Sequence, residues 1–425
     1  MAGTLVGYAP EASSPPSEAR SPLSVCMVHF SEFVLDSRVQ RQAHALASRG
    51  DTVHCICIGS ELEITMGKGR IVTHPIRCSK PRAGPASYLG AYARFFVAAA
   101  GAVTRVDREF RFDLVEVHNM PNFLTLTALA PKLRGVPLVL DMHDTFPELF
   151  STTFGRSRGN PISRLMYQEE RLSARLVDRV LAVTDAAKQR LNSRTVGVGR
   201  TEVVMNSPDE RVFGDPRPPV AIPEEGPIHA VYHGGTSQRF GVDSLMSAVG
   251  ILEDALPRLS LDVYGAFREN GPLVQLAKAI GSERIRVARR PTPFTEIPQK
   301  LARAHIGVVP TIHDEFTELL LPVKLLEYVH MGLPVVSSRL PVIEEYFSDE
   351  EVLFYEPGSE HGLAAALLQV CEEPEAAQLR AVRASRRLEE LAWSRGRDAY
   401  RGLVDTLAVR SGPGKTRSRR EVIPA

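Results

Sequence analysis

LPVKLLEYVHMGLPVVSS, residues 321–338, is the stretch that decides the fold of this chain. Pro322 suits the first turn of a helix, where a missing N–H is no loss. Gly332 suits a helix end, and Pro334 prevents continuation. The spacing therefore predicts a helix over about 322–331, followed at once by the apolar strand LPVVSS. A helix leading into a buried strand is half of a β–α–β unit.

Lys324 and Glu327 lie three residues apart inside this otherwise apolar helix. A cation in the first turn is mildly unfavourable with the helix dipole. An external anion at the free N–H groups of that turn removes the conflict. Glu327, about one turn on, is a pure acceptor able to hold a diol by two charge-assisted hydrogen bonds. Phosphates at the helix start and a ribose near Glu327 describe a nucleotide diphosphate. The alternative is a surface i,i+3 ion pair worth roughly a few tenths of a kcal/mol. Spacing alone leaves both open.

Outward from this unit, strands and helices alternate. SVCMVHF (24–30), TVHCICIG (52–59), FDLVEVHN (112–119), VPLVLDMHD (136–144) and RVLAVTD (179–185) read as strands. Helical spacing separates them, as in SRVQRQAHALASRG, where Val39, Ala43, Leu46 and Ala47 recur before Gly50. The pattern pauses in a stretch crowded with Pro, Asp and Glu, then restarts with HAVYHGG (229–235), LSLDVYG (259–265), ERIRVAR (283–289), HIGVVPT (305–311), LPVVSS and VLFYE. Alternation of this kind means parallel sheets with right-handed crossovers. The fold class is thus α/β: two Rossmann-like, doubly wound domains facing a cleft. We assign residues 1–22 to a disordered tail and 23–205 to the first domain. A linker at 206–227 leads to the second domain, 228–390. Crossover helices follow at 391–410, then a basic flexible tail at 411–425. Open parallel sheets take ligands at the carboxyl ends of their strands, so the cleft is the expected site.

The totals exclude some classes. With 425 residues, one core is too few. A net charge of +1 gives no argument for nucleic acid. Five cysteines without close pairs argue against a disulfide framework and for a reducing, cytoplasmic setting. No stretch reaches the roughly 20 apolar residues of a spanning helix. The nearest, YLGAYARFFVAAAGAV (88–103), is interrupted by Arg94. Its aromatic cluster fits either a peripheral contact with the inner face of a membrane or packing against the first sheet.

The run P-x-K-L-x-E-Y-x-x-x-G-x-P-V-V resembles the donor-site signature of the retaining glycosyltransferases of GT-B fold, family four. The resemblance extends from about Ser24 to Leu407 and includes LVLDMHDTFPELF (138–150), VVMNSPDERVF (203–213), VYHGGTSQRFGVDSLMSAV (231–249) and LAWSRGRDAYRGLVDTL (391–407). It implies that the last helices cross back onto the first domain. It implies that Glu327 binds the ribose, that the backbone of Leu321, Pro322 and Val323 faces the diphosphate and sugar, and that Lys324 is the subgroup lysine. Many members carry a sugar-binding glutamate eight positions before the second one. Here that position is Leu319, with Glu318 beside it, so Glu318 is the candidate and the sugar contact stays open. Members often carry an Arg and a Lys after the first strand of the second domain. Here Gly234 and Gly235 follow that strand, and Arg239 is the nearby cation, with Lys324 to compensate. A plain turn is the alternative for the two glycines.

In the first domain, the resemblance places His143 beside the donor sugar and gives Glu148 a loop-holding or acceptor role. His118 ends the preceding strand and looks toward the acceptor side. Asp36 and Arg38 either bind acceptor or cap the first helix. His143, Lys324 and Arg239 are the candidate catalytic residues. The implied reaction moves a sugar from a UDP- or GDP-linked donor to a hydroxyl of a glycan, lipid-linked saccharide or small molecule, with retention. No D-x-D motif occurs. No metal is therefore suggested, and no cofactor beyond the donor as co-substrate. The alternatives are a nucleotide-sugar hydrolase or epimerase on the same fold, and a catalytically inactive binding or scaffold subunit.

Overall fold

The computed structural model describes residues 21–78, 85–154, 160–196, 199–265 and 271–410. Of the tails assigned to 1–22 and 411–425, residues 1–20 and 411–425 lie outside the described residues. The first sheet holds β1 (Ser24–Glu32), β2 (Thr52–Ile58), β3 (Glu63–Met66), β4 (Gly69–Ile76), β5 (Leu114–His118), β6 (Leu138–Met142), β7 (Arg179–Ala182) and β8 (Thr201–Val203). Its order is β3-β4-β2-β1-β5-β6-β7-β8. Every neighbouring pair is parallel except β3 with β4. That antiparallel hairpin is absent from the sequence reading. Glu63–Met66 alternates exposed and half-buried residues at the sheet edge, so it lacks the apolar run of a central strand.

The second sheet holds β9 (Ile228–Gly234), β10 (Leu259–Gly265), β11 (Ile285–Val287), β12 (Ile306–Val309), β13 (Val335–Ser338) and β14 (Leu353–Tyr355). It is parallel throughout, in the order β11-β10-β9-β12-β13-β14. In both sheets the strand order reverses at the first strand, β1 or β9. A crevice therefore opens at the carboxyl ends of β1/β5 and of β9/β12. Of the expected site residues, Asp36, Arg38, His118, Gly234 and Gly235 lie at or just beyond these strand ends.

The quoted stretch folds as read. Its helix spans Val323–His330, capped by Pro322 in an extended conformation. Leu325, Leu326, Tyr328 and Val329 are buried. Each such side chain contributes about 1.5–3 kcal/mol by burial. Gly307 in β12 permits the close approach of this helix, since a Cβ there would sit 2.4 Å from the Tyr328 ring. FLTLTALAPKLRG (123–135) carries a helical pattern, yet the chain there forms a 3-10 turn (Asn122–Ala128) before a short helix (Leu129–Leu133). Thr125 and Thr127 bond back to the carbonyls of Asn122 and Leu124, which favours the tighter i+3 geometry.

The chain returns to its first domain at the end. The helix Pro374–Leu391 buries Ala384 and Leu388 beside the Val323–His330 helix. The next, Trp393–Arg410, places Trp393, Tyr400, Leu403, Val404 and Leu407 in the core beneath the first sheet. Arg41 stacks 4.5 Å from the Trp393 ring, and Tyr400 donates to buried Glu116. The four buried cysteines are free thiols inside the apolar layers.

Candidate active site

The cleft between the sheets encloses a cavity of about 670 Å³. The second domain supplies the start of the Val323–His330 helix and the turn after β9. Strand alternation aims Tyr232 into the core, while Gly234 ends the strand at the cavity. Lys324 extends from the first turn of the helix into this corner and is buried. Its Nζ donates to Tyr232 Oη at 3.1 Å and lies 4.5 Å and 4.7 Å from the Tyr232 and Phe240 rings. Tyr232 Oη donates in turn to the Gly235 carbonyl at 2.5 Å. No carboxylate of the described residues pairs with Lys324 within 4.0 Å. Burial pulls its ammonium down to about 8, with Glu327 pulling the other way.

Gly234 is needed in this arrangement. It has φ 123°, and a Cβ there would lie 3.2 Å from Lys324 Cε. A Cβ on Gly235 would lie 2.4 Å from the Phe240 ring. Glu327 is buried one turn along, with Oε2 2.9 Å from His233 Nε2. His233 is fixed through its backbone N–H, which donates to Tyr328 Oη at 3.0 Å. Leu321, Pro322, Val323, Lys324 and Glu327 all line the cavity.

Arg239 also lines it, but is already engaged. It donates to Thr153 Oγ1 of the first domain at 2.6 Å, lies 4.0 Å from Asp314, and stacks over Phe316. Glu318 is turned away from the lining residues. It accepts from Arg190 of the first domain at 2.8 Å and lies 3.5 Å from His313. Leu319 is buried, and its carbonyl accepts from Thr184. Asp185 and Tyr346 add a further bond across the domains at 3.1 Å.

The first domain meets this corner with a dense polar cluster. Asp36 accepts from Ser31 Oγ at 2.8 Å and from the Val39 N–H at 3.4 Å, so it caps the first helix, Ser37–Ala47. Burial pushes its carboxyl up, but Arg38, His143 and His29 together hold it below the usual range. Arg38 lies 3.8 Å from Asp36 and lines the cavity. His143 lines the cavity at the end of β6; His118 ends β5 behind it. Their rings lie nearly parallel at 10°, and His118 Nδ1 is 3.2 Å from His143 Nε2. Asp141 reaches both, at 3.4 Å and 3.6 Å, and accepts from Gln42 at 2.6 Å. Burial drops His143 to about 3, so it is neutral. Burial would lower His118 too, but its bond to Asp141 and the nearby Glu116 raise it instead.

His118, Asp141 and His143 each bring a ligand-type atom within 4.8 Å of the others. The facing nitrogens of the two histidines are bonded to one another, a geometry that shares a proton. Glu148 is fully buried away from the cavity lining. It is clamped by Arg194 and Arg190, and Arg194 also holds Glu170 at 2.7 Å. Its carboxylate is spent on the two arginines and has no exposed face.

Tyr232, His233, Phe240, Arg41, Asp141 and Asp144 also belong to the site or its support. The first two carried a signal, since they precede Gly-Gly at a strand's carboxyl end. Phe240 and Arg41 carried none, because only the fold brings them to the cleft.

Comparison with known proteins accords with this geometry. Residues 35–207 match the family described as Glycosyl transferase 4-like domain, and residues 227–373 match Glycosyl transferases group 1. A glycogen synthase of Mycobacterium tuberculosis is 27% identical over 293 residues. That match spans 66% of each chain. Among solved structures, sucrose-phosphate synthase of Thermosynechococcus elongatus superposes with TM-score 0.73 at 14% identity, covering 91% of this chain and 100% of that one. A UDP-forming trehalose-phosphate synthase of Burkholderia xenovorans gives 0.65 at 13% identity, with 91% and 100% covered. Anabaena HepE in complex with UDP-glucose gives 0.63 at 14%, with 90% and 100% covered.

Proposed function

Because the chain belongs to the glycosyltransferases of GT-B fold, we propose that it moves a sugar from a nucleotide-diphospho-sugar to a hydroxyl acceptor, with retention of configuration. One observation carries the donor assignment. Lys324 is a buried cation at a helix start, hydrogen-bonded to a neutral phenol and, among the described residues, without a carboxylate within 4.0 Å. Such a group is costly to bury unless an anion joins it. A diphosphate placed there meets the ammonium, the helix N–H groups and the Gly234–Gly235 turn together. Glu327 would then take the ribose hydroxyls, with His233 orienting the carboxylate. The HepE structure with UDP-glucose favours uridine as the base; guanosine is the second choice.

Glycosyl–phosphate cleavage builds negative charge on the departing diphosphate. Preorganised dipoles and the Lys324 ammonium stabilise it. His143 is neutral at physiological pH and presents a ring to the sugar's side of the cleft. Arg239, held between Thr153 and Asp314, keeps the domains together around the donor. In front-face retention the leaving phosphate takes the acceptor's proton, so no second carboxylate is required. The acceptor is a glycan, lipid-linked saccharide or small molecule.

The test is a thermal-shift panel with UDP, GDP, ADP and dTDP on wild type and on Glu327→Ala. A nucleotide at 100 times its Kd adds about 2.7 kcal/mol to stability. One nucleotide should stabilise the wild type, and the variant should lose that response. No response to any nucleotide would overturn the donor site. Donor consumption equal with and without acceptor would instead favour hydrolysis, and an inverted product linkage would refute retention.

A further inference from the structure

The helix Pro85–Phe110 is apolar on both sides. Its inner side packs Ala91, Phe95, Ala99, Val103 and Val106 into the core. Tyr92 and Phe96, the aromatics that suggested a membrane contact, also turn inward: Phe96 meets Phe123 at 5.8 Å, and Tyr92 meets Phe30 at 4.9 Å. The opposite side carries Leu89, Ala93 and Val97 at four-residue spacing, all exposed, with Val97 70% accessible. A surface helix normally turns a polar face outward.

Two neighbouring segments continue this outer face. Residues 122–133 adjoin the helix through Phe123, and the helix Pro161–Leu176 adjoins them through Asn122, which donates to Glu169 at 2.9 Å. Leu126, Leu129 and Leu133 are exposed on the first, and Ile162, Leu165 and Leu172 on the second. Eight of the thirteen exposed large apolar side chains of the described residues thus lie on one layer of the first domain. Apolar exposure concentrated on adjoining segments in this way marks an interaction site.

Charge identifies the partner. Arg94, Arg105 and Arg108 stand exposed on the first helix, and Arg164, Arg171 and Arg175 on the last. Glu109 is the one exposed acid of the three segments. Their other carboxylates are occupied: Asp107 by Arg134, Glu170 by Arg194 and Glu169 by Asn122. In a chain of net charge +1, this layer is a local basic excess. We propose that the outer face of the helices at 85–110, 122–133 and 161–176 docks on an anionic lipid surface. Leucines enter the headgroup boundary while arginines meet lipid phosphates. No helix of the described residues is long and apolar enough to cross a membrane, so the contact lies in the interface plane. The docking face and the donor site share no residue.

The experiment is co-sedimentation of the full chain with vesicles of phosphatidylcholine alone and of 70:30 phosphatidylcholine to phosphatidylglycerol. The protein should pellet with the anionic vesicles at low salt and be released by high salt. Arg164→Glu with Arg171→Glu should lower the bound fraction about tenfold or more. Val97→Glu with Leu165→Glu should lower it similarly, and neither pair should change the unfolding temperature, because all four side chains are exposed. Removal of residues 411–425 should leave binding in place. A protein that stays in the supernatant with anionic vesicles overturns the proposal, as does binding that these substitutions leave unchanged or that disappears with residues 411–425. A dimer in light scattering that Val97→Glu with Leu165→Glu dissolves would assign the face to a second copy instead.

Discussion

The two walls of the cleft solve opposite problems. On the second-domain wall, the charges are few and under-compensated: Lys324 has a phenol and two ring faces, and Glu327 has one histidine. On the first-domain wall, Asp36, Arg38, Asp141, His118 and His143 bond chiefly to one another. The first arrangement leaves electrostatic capacity for an incoming anion. The second holds its members in fixed positions before any ligand arrives. A binding pocket tolerates instability at the atoms that meet charge, and rigidity at the atoms that must only be in place.

This contrast predicts unequal responses to substitution. Asp141→Ala removes the anion that His118 and Gln42 share, and leaves a raised, buried imidazole without its partner. It should destabilise the protein by about 3–5 kcal/mol in urea unfolding. A loss below about 1 kcal/mol would show that the first wall is not self-supporting. Lys324→Met keeps the shape and removes the charge. It should leave stability unchanged or raise it, while weakening nucleotide binding about 10- to 100-fold by calorimetry. A strongly destabilised Lys324→Met would break the comparison from the other side.

The pH response sharpens it further. Lys324 is held at about 8, below the ordinary lysine value, so its charge is complete below that pH and lost above it. Donor affinity should therefore be flat from pH 6 to 7 and fall as pH rises through about 8. His143, held at about 3, should add no inflection between pH 5 and 8. An affinity unchanged at pH 9 would remove Lys324 from the diphosphate. The smallest effect is expected at the rim. Arg190→Gln breaks the half-exposed bridge to Glu318 but leaves Arg194 on Glu148. It should change stability by less than about 1 kcal/mol.

Much of the second wall was legible in one dimension. Pro322, Lys324, Glu327, Gly332 and Pro334 fall within thirteen residues, and helix geometry alone converts their order into positions. The turn at Gly234–Gly235 was legible for the same reason. The contact of Tyr232 and Phe240 with Lys324 was not: they lie roughly 90 residues away from it in sequence, and only the β9/β12 pairing brings them together. The first wall was half legible. His143 and His118 could be placed at strand ends. Their mutual bond depends on β5 and β6 being neighbours in register, which no local pattern reveals. Glu318 and Glu148 show the converse, since both sit one helical turn or less from site positions yet spend their charge on arginines distant in sequence.

The return of the Trp393–Arg410 helix to the first domain has a consequence for how the protein is made. Synthesis runs from the amino terminus, and domains generally fold as they emerge. Here the core beneath the first sheet lacks Trp393, Tyr400, Leu403, Val404 and Leu407 until residues 393–410 leave the ribosome. The first domain to appear is thus the last to close. The second domain has its sheet complete at Tyr355, and by then the first has presented an uncovered apolar face for most of translation. A ribosome stalled after Leu391 has emerged but before Trp393 has would hold a nascent chain with one sealed half and one open, a natural client for a chaperone that recognises exposed core.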